Sequence, residues 1–377
     1  MTPILYCFRM TFRETNLSVF RREPVCGVLW QPRIEHWYHT NRDAGTLPER
    51  YRGMTLLEVF DDLGCSARPY WAFNECFHYD PPEDLRREEH RDGDQTTVIE
   101  HTPGGDLVTV LQQTSVAWHT LKYPVETPED LPAIEWVLKH KRVWFDPEAY
   151  ARASAEIGDR GAPAIFIPRI NIMRIMIEFM GFENGTTALY LYPAEMDRLI
   201  NAINESDDAV LDTVAKSPVE IVNFGDNVHQ ALCAPPIFEK YVLPEYVRRN
   251  KRLHSAGKRT YPHWDGDCKQ LLPYARDCGF DGIEAITPVP QGDVTLEEVR
   301  DALGGLILLD GIPCTDFLSS EPIEGLVENT CKCVEYFWPN LVLGISDEIS
   351  PVGDIERVRL VSEICAGYCR QSEGVEP

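Results

Sequence analysis

VEIVNFGDNVHQALCAPPIFEKYVLPEYVRRNKRLHSAGKRTYPHWDG (219–266) reads as one complete strand–helix–strand unit. VEIVNFGDN is short, apolar and β-branched, which suits a strand covered on both faces. PPIFEKYVLPEYVRRNKRLHSAGK follows as an amphipathic helix that carries an internal proline and stops at Gly257. KRTYPHWDG is the next strand. Both strands end in ionisable residues, Asp226 on the first and His263 with Asp265 on the second. Such a unit makes its two strands parallel, joined by a right-handed crossover.

The rhythm continues outward from this unit. GIEAITP (282–288), LILLDGIP (306–313) and LVLGISDE (341–348) are strands carrying Glu284, Asp310 and Asp347. The stretches between and after them, CKQLLPYARDCGF, TLEEVRDAL, EPIEGLVENTCKCVEYF and GDIERVRLVSEICAGYCRQ, have helical periodicity, with Thr295 as an N-cap. Upstream, APAIFIPRI (162–170) is a strand, followed by helices at 171–182 and 193–216, and PVCGVLWQ (24–31) is the first strand. Strands that end in ionisable residues and feed helices are the unit of a (β/α)8 TIM barrel, whose chemistry gathers at the carboxyl ends of the strands. The expected fold is therefore α/β: one barrel domain over 1–377 with an N-terminal extension. Residues 66–130 break the rhythm. There TTVIEH and LVTVLQQ flank TPGGD, the signature of a β-hairpin insertion lying over one barrel face. An open doubly wound sheet would carry a glycine-rich phosphate loop after its first strand, and none is present.

The bulk numbers exclude several classes of function. The chain has 377 residues, 44% of them apolar and 25% charged, as in a soluble globular protein. A formal charge of −24 argues against nucleic acid and against an anionic membrane surface as partners. No apolar run approaches the ~20 residues that span a bilayer, and the N-terminus lacks the features of a signal peptide. The twelve cysteines are scattered without a CxxC pair and read as free thiols of a reducing cytoplasm.

His263 and Asp265 lie two apart on a strand and so point to one face, at the barrel mouth. Glu284 on the next strand and Asp347 two strands beyond reach the same space. Glu284 lies in an apolar strand, where a carboxylate is costly unless paired or bound to a metal. Imidazole and carboxylates converging from separate strands suit a divalent metal, zinc first, with a position left open for Lewis-acid chemistry. Asp226 and Asn227 in FGDN are further candidates for catalysis and substrate binding. Asp310 in LDGIP reads also as a turn residue, and Cys268 as a packed thiol or a soft ligand. His119 and Trp30 belong to an aromatic-rich N-terminal half that suits a planar ligand, or a plain aromatic core.

The stretches 219–266 and DCGFDGIEAITP, with LVLGIS and, more weakly, REPVCGVLWQPR, resemble the uroporphyrinogen decarboxylase superfamily. The likeness is good over 220–365 and loose elsewhere, and implies the same barrel. That superfamily holds porphyrinogen decarboxylases and corrinoid-linked methyltransferases. The decarboxylases carry an arginine-rich RQAGR segment after the first strand; here the place reads WQPRIEHWY and keeps only Arg33. The zinc methyltransferases bind metal through His-x-Cys and a later Cys; here those positions read His263-Trp264-Asp265 and Asp347. The resemblance thus implies a metal-dependent methyltransferase that moves a methyl group from a methoxylated or methylamine-type small molecule to a corrinoid carried by a partner protein. Its metal would be held by His263, Glu284 and Asp347 with Asp265 or Asp226 assisting, and its substrate by residues such as Arg33. The alternatives are a decarboxylase-like lyase and a non-catalytic corrinoid or aromatic-ligand binder. A homodimer is left open.

Overall fold

The computed structural model describes residues 10–114 and 117–372. Seven parallel strands form the central sheet: β1 (Leu29–Trp30), β2 (Ala164–Ile167), β3 (Ile221–Val228), β4 (Arg259–Trp264), β5 (Gly282–Glu284), β6 (Ile307–Pro313) and β7 (Leu341–Ser346). They lie in the order β1-β7-β6-β5-β4-β3-β2. From β5 to β7 every residue of each strand is buried. Helices cover the outer face and curled strands the inner one, which is why these strands read as unbroken apolar runs.

The expectation of eight strands is corrected to seven among the described residues. The eighth place is held by an irregular segment, Cys65–Arg68. Ser66 N donates to the Trp30 carbonyl of β1 (2.8 Å), and Ala67 N donates to the Arg160 carbonyl just before β2 (2.9 Å). One short segment touching both edges shows how far the sheet curls. It makes no ladder, because Pro69 stops it and a helical turn, Tyr70–Phe73, begins at once.

Inside the curl, one end is filled by Leu29, Ala164, Ile221, Tyr261, Ile307, Leu309 and Val342, which pack with Val19 and Phe20 of the N-terminal helix Phe12–Arg21. That helix is fixed by a capping box between Thr11 and Glu14. The next residues facing in, Asn223, His263 and Glu284, are polar. Asp310 breaks the two-residue alternation of β6: its φ of +77° turns its side chain inward beside that of Leu309.

The insertion differs in extent and placement from the expected hairpin. Arg86–Asp92, Gln95–Thr102, Gly105–Gln113 and Trp118–Lys122 form a four-stranded antiparallel meander, with TPGGD as its middle turn. A second pair, Phe77–Asp80 with Arg142–Phe145, brackets it, so the excursion runs on to 145. The meander packs on the helix Leu131–His140. There Gly104 is required by close approach: a Cβ on it would lie 2.6 Å from the Pro132 backbone. Eight described cysteines, Cys65, Cys76, Cys233, Cys268, Cys278, Cys314, Cys331 and Cys333, are free and Cys26 is disulfide-bonded, against the reading of free thiols throughout. Among the described residues no helix is long and apolar enough to cross a membrane.

Candidate active site

The parallel register sets His263 of β4 beside Glu284 of β5. His263 Nδ1 donates to Glu284 Oε2 at 2.8 Å. Glu284 is fully buried, yet it collects further donors: Asn223 Nδ2 at 2.5 Å, Tyr70 OH at 3.1 Å and the Arg68 guanidinium. Burial alone would raise its pKa; Arg68 and then His263 outweigh burial and hold it well below the usual carboxylate range. Arg68 also donates to Asp310 (2.7 Å) and to Gln31 Oε1 (3.0 Å). Asp310 goes the other way: burial pushes it up to about 7, against the pull of Arg68. The interior thus holds one guanidinium between two carboxylates, with an imidazole completing the charge balance.

Above this network lies a cavity of about 320 Å³ at the strand ends. His263, Arg33, Asp347, Arg169, Asn227 and Glu178 supply its polar lining; Phe166, Ile167, Pro168 and Gly225 supply the rest. His263 Nε2 is buried and, among the described residues, has no hydrogen-bond partner. Asp265 Oδ2 lies 3.7 Å from it, too far for a hydrogen bond. Burial disfavours the imidazolium, but the carboxylates of Asp265 and Glu284 more than offset this and raise His263 to about 10. Asn227 Nδ2 donates to Asp265 (3.3 Å), Arg169 donates to Asn227 Oδ1 (3.1 Å) and Glu178 (3.0 Å), and Arg33 pairs with Asp347.

His263, Asp265, Asn227, Arg33 and Asp347 are therefore brought together; of these, strand spacing had placed His263, Asp265 and Asp347 at one mouth. Other candidates are placed elsewhere. Asp226 is buried and accepts from Tyr246 OH (2.5 Å) and Ile170 N (2.6 Å), so it ties β3 to the helices behind it and does not reach the cavity. Asn227, the next residue, points the opposite way. Trp30 donates its Nε1 to the Val358 carbonyl (3.2 Å) and stacks on Phe317, on the helix-covered side of β1. His119 is exposed on the meander, and among the described residues none of that meander lines the cavity. Cys268 Sγ faces the Asp265 and Val228 carbonyls and is a packed thiol. Sequence reasoning missed Arg68, Tyr70, Gln31 and Asn223. Two of them left a signal: Arg68 in SARPYW and Asn223 in IVNF are polar residues set into apolar runs.

A divalent ion can be tested against these side chains. Glu284 does not fit as a ligand, because Arg68, His263, Asn223 and Tyr70 already use its oxygens. His263 Nε2 fits: it is orphaned, and Nδ1 is oriented by a carboxylate, the usual support of a ligating histidine. Two donors on one tetrahedral zinc stand roughly 3.3 Å apart, near the 3.7 Å between His263 Nε2 and Asp265. Asp347 lies on the same cavity but is engaged by Arg33, and among the described residues no three donors are gathered into a ready metal cluster.

Residues 157–368 match the family model described as uroporphyrinogen decarboxylase (URO-D). Among solved structures, a methyltransferase from Methanosarcina mazei superposes with a TM-score of 0.58 at 13% identity, over 96% of this chain and 99% of that one. A B12-independent methionine synthase from Shewanella sp. W3-18-1 aligns at 12% identity over 85% of this chain and 86% of that one, with a TM-score of 0.41. The first of these shows the shared fold. No curated protein sequence matches the chain.

Proposed function

The chain belongs to the uroporphyrinogen decarboxylase family, and from that membership we propose that it is a methyltransferase acting on a methoxylated or methylamine-type small molecule. The observation that carries the proposal is His263 Nε2, which is buried, lines a cavity and, among the described residues, has no hydrogen-bond partner. A buried nitrogen left without a partner is costly unless something else uses it. His263 Nε2 and Asp265, with Asp347, would hold a divalent ion, zinc first, and Asn227 would steady Asp265. When bound, the ion supplies a Lewis acid for the heteroatom that loses the methyl group, and a corrinoid on a partner protein supplies the methyl acceptor.

The chain's own residues do the rest. Glu284, fixed by Arg68, Tyr70 and Asn223, keeps His263 in one orientation and one tautomer. Phe166, Ile167 and Pro168 form an apolar side of the cavity, and the ion pairs Arg33–Asp347 and Arg169–Glu178 line the rest. The bond to be broken is the one between heteroatom and methyl carbon, and its electron pair stays on the heteroatom. The open mouth of the cavity would leave the methyl carbon accessible from the side away from the heteroatom, as in-line displacement requires.

A tetrapyrrole decarboxylase fits less well. About 320 Å³ is the size of a site for a small molecule, and its two arginines are both engaged with acidic or amide neighbours. The test is elemental analysis of the purified protein, then incubation of methoxylated aromatics and methylamines with a reduced corrinoid. Stoichiometric zinc that is lost, along with demethylation, in His263→Ala is the expected result. Turnover of uroporphyrinogen, or demethylation undiminished in His263→Ala, would overturn the proposal.

A further inference from the structure

Phe166 lies two places beyond Ala164 on β2, so it faces into the curl as Ala164 does. Its partner in the parallel register is Asn223 of β3. Its inward neighbours Asn223, His263 and Glu284 are all polar. Along β2, Ala164, Ile165 and Ile167 are buried, whereas Phe166 is half-buried and lines the cavity. Two contacts hold its ring. Tyr70 stacks on it, with ring centroids 3.9 Å apart and planes tilted by 29°. From β3, Gly225 makes room for it: a Cβ there would lie 2.9 Å from Phe166 Cδ1. Gly225 is outside the left-handed region, so close approach of the ring, and not backbone angle, requires the glycine. Glycine weakens the interior of a strand, and the sheet accepts that loss to keep an aromatic ring at the cavity wall.

Phe166 and His263 stand on β2 and β4, two strands apart, or roughly 10 Å at the usual strand spacing. Both line the cavity, and a ligand that touches both must bridge that gap. One benzene ring with its methoxy group does so. A methylamine, built on C–N bonds of about 1.45 Å, is too short. We infer that Phe166 is a specificity-determining residue: held by Tyr70 and Gly225, its ring packs against an aromatic ring of the substrate, and the methyl donor is a methoxylated arene, not a methylamine. The inference rests on the methyl-transfer reading above and names its substrate class. Aromatic pairs gain stability beyond the apolar area they bury. A plain apolar wall would instead rank ligands by apolar area and favour a saturated ring over a flat one.

Calorimetry on the full chain compares guaiacol (2-methoxyphenol) with 2-methoxycyclohexanol, its saturated counterpart, and with trimethylamine. Wild-type protein is expected to bind guaiacol about threefold to tenfold more tightly than the saturated compound, the range of an aromatic pair, and to bind trimethylamine more weakly than either. Phe166→Leu should lose the preference for the flat ring. Phe166→Tyr should keep it, and supplies the comparison if Phe166→Leu does not fold. Gly225→Ala, which drives the ring from its seat, should lose most of the guaiacol binding. Absence of guaiacol binding in wild type, an equal ring preference in wild type and Phe166→Leu, or tighter binding of trimethylamine than of guaiacol overturns the inference. Turnover with a reduced corrinoid separates it from its premise. Demethylation of trimethylamine but not of guaiacol overturns the role of Phe166 and leaves methyl transfer standing. A ring preference that Phe166→Leu abolishes, with no methoxy compound or methylamine demethylated, supports the aromatic wall and removes methyl transfer.

Discussion

At the scale of single residues, the centre of this protein is a charge problem solved inside the curled sheet. Arg68 is 2% exposed in its side chain and Glu284 and Asp310 are 0% exposed. Removing one member of such a group leaves the others uncompensated. Arg68→Met should therefore cost about 3–5 kcal/mol of stability, read from urea unfolding; a loss under 1 kcal/mol would show that the network is not held by that cation. Asp310 makes a pH prediction. Its pKa is raised from 3.8 to about 7 on folding, chiefly by burial. Between those values the folded state keeps a proton that the unfolded state has lost, so this group destabilises the fold as pH rises through the window. Asp310→Asn, neutral throughout, should lack this pH dependence, so its stability relative to wild type should rise as pH goes from 5 to 8. A difference in melting temperature that is constant across that range would contradict it. Glu284, whose pKa is lowered, has the opposite sign: it contributes stability above its unfolded pKa and loses it in acid.

At the scale of elements, backbone spacing decides what the side chains can do. Gly344 of β7 faces the network, and a Cβ there would lie 2.2 Å from Asp310 Oδ1 and 3.2 Å from the Arg68 guanidinium. Gly344→Ala should force these apart and lower stability by about 2–4 kcal/mol through overpacking and loss of the buried pair; an unchanged melting curve would mean the strands slide to make room. Thr295 caps the helix Leu296–Leu303 in a reciprocal box with Glu298. Thr295→Ala should cost about 1 kcal/mol without altering zinc binding, since that helix lies on the outside. The cap, the strand ends and the βα spacing were all readable from local chemistry. The irregular Cys65–Arg68 segment was not: it has neither strand periodicity nor a helix signal, and its place depends on the two edges it fills. Asp310 was readable only as a polar residue in LDGIP, because its inward turn comes from a backbone angle and not from alternation.

For the whole molecule, the described strands of the meander pack against the helix Leu131–His140. Leu107 on its third strand is 1% exposed and part of the main core. Leu107→Asp should lower the melting temperature by burying an unpaired charge, while zinc and guaiacol binding to the folded protein stay unchanged, because the cavity takes no described residue from this sheet. Weakened ligand binding at temperatures well below the melt would place the meander over the mouth after all. The net charge of −24 surrounds the cavity's Arg33–Asp347 and Arg169–Glu178 pairs with an acidic molecule.

The sequence by itself determined the parallel α/β architecture and the family, and it set His263, Asp265, Glu284 and Asp347 at strand ends expected to meet. Period and spacing are local properties, and in a parallel βα repeat the strand ends must meet at one rim. Which of those groups is free, and which is already spent, only the tertiary structure decided. Glu284 and Asp226 look alike in their strands as potential site residues. One is consumed by Arg68 from a segment 216 residues away, the other by Tyr246 and the Ile170 amide behind the sheet. Partners so distant along the chain leave no periodic trace, because electrostatic pairing depends on separation in space.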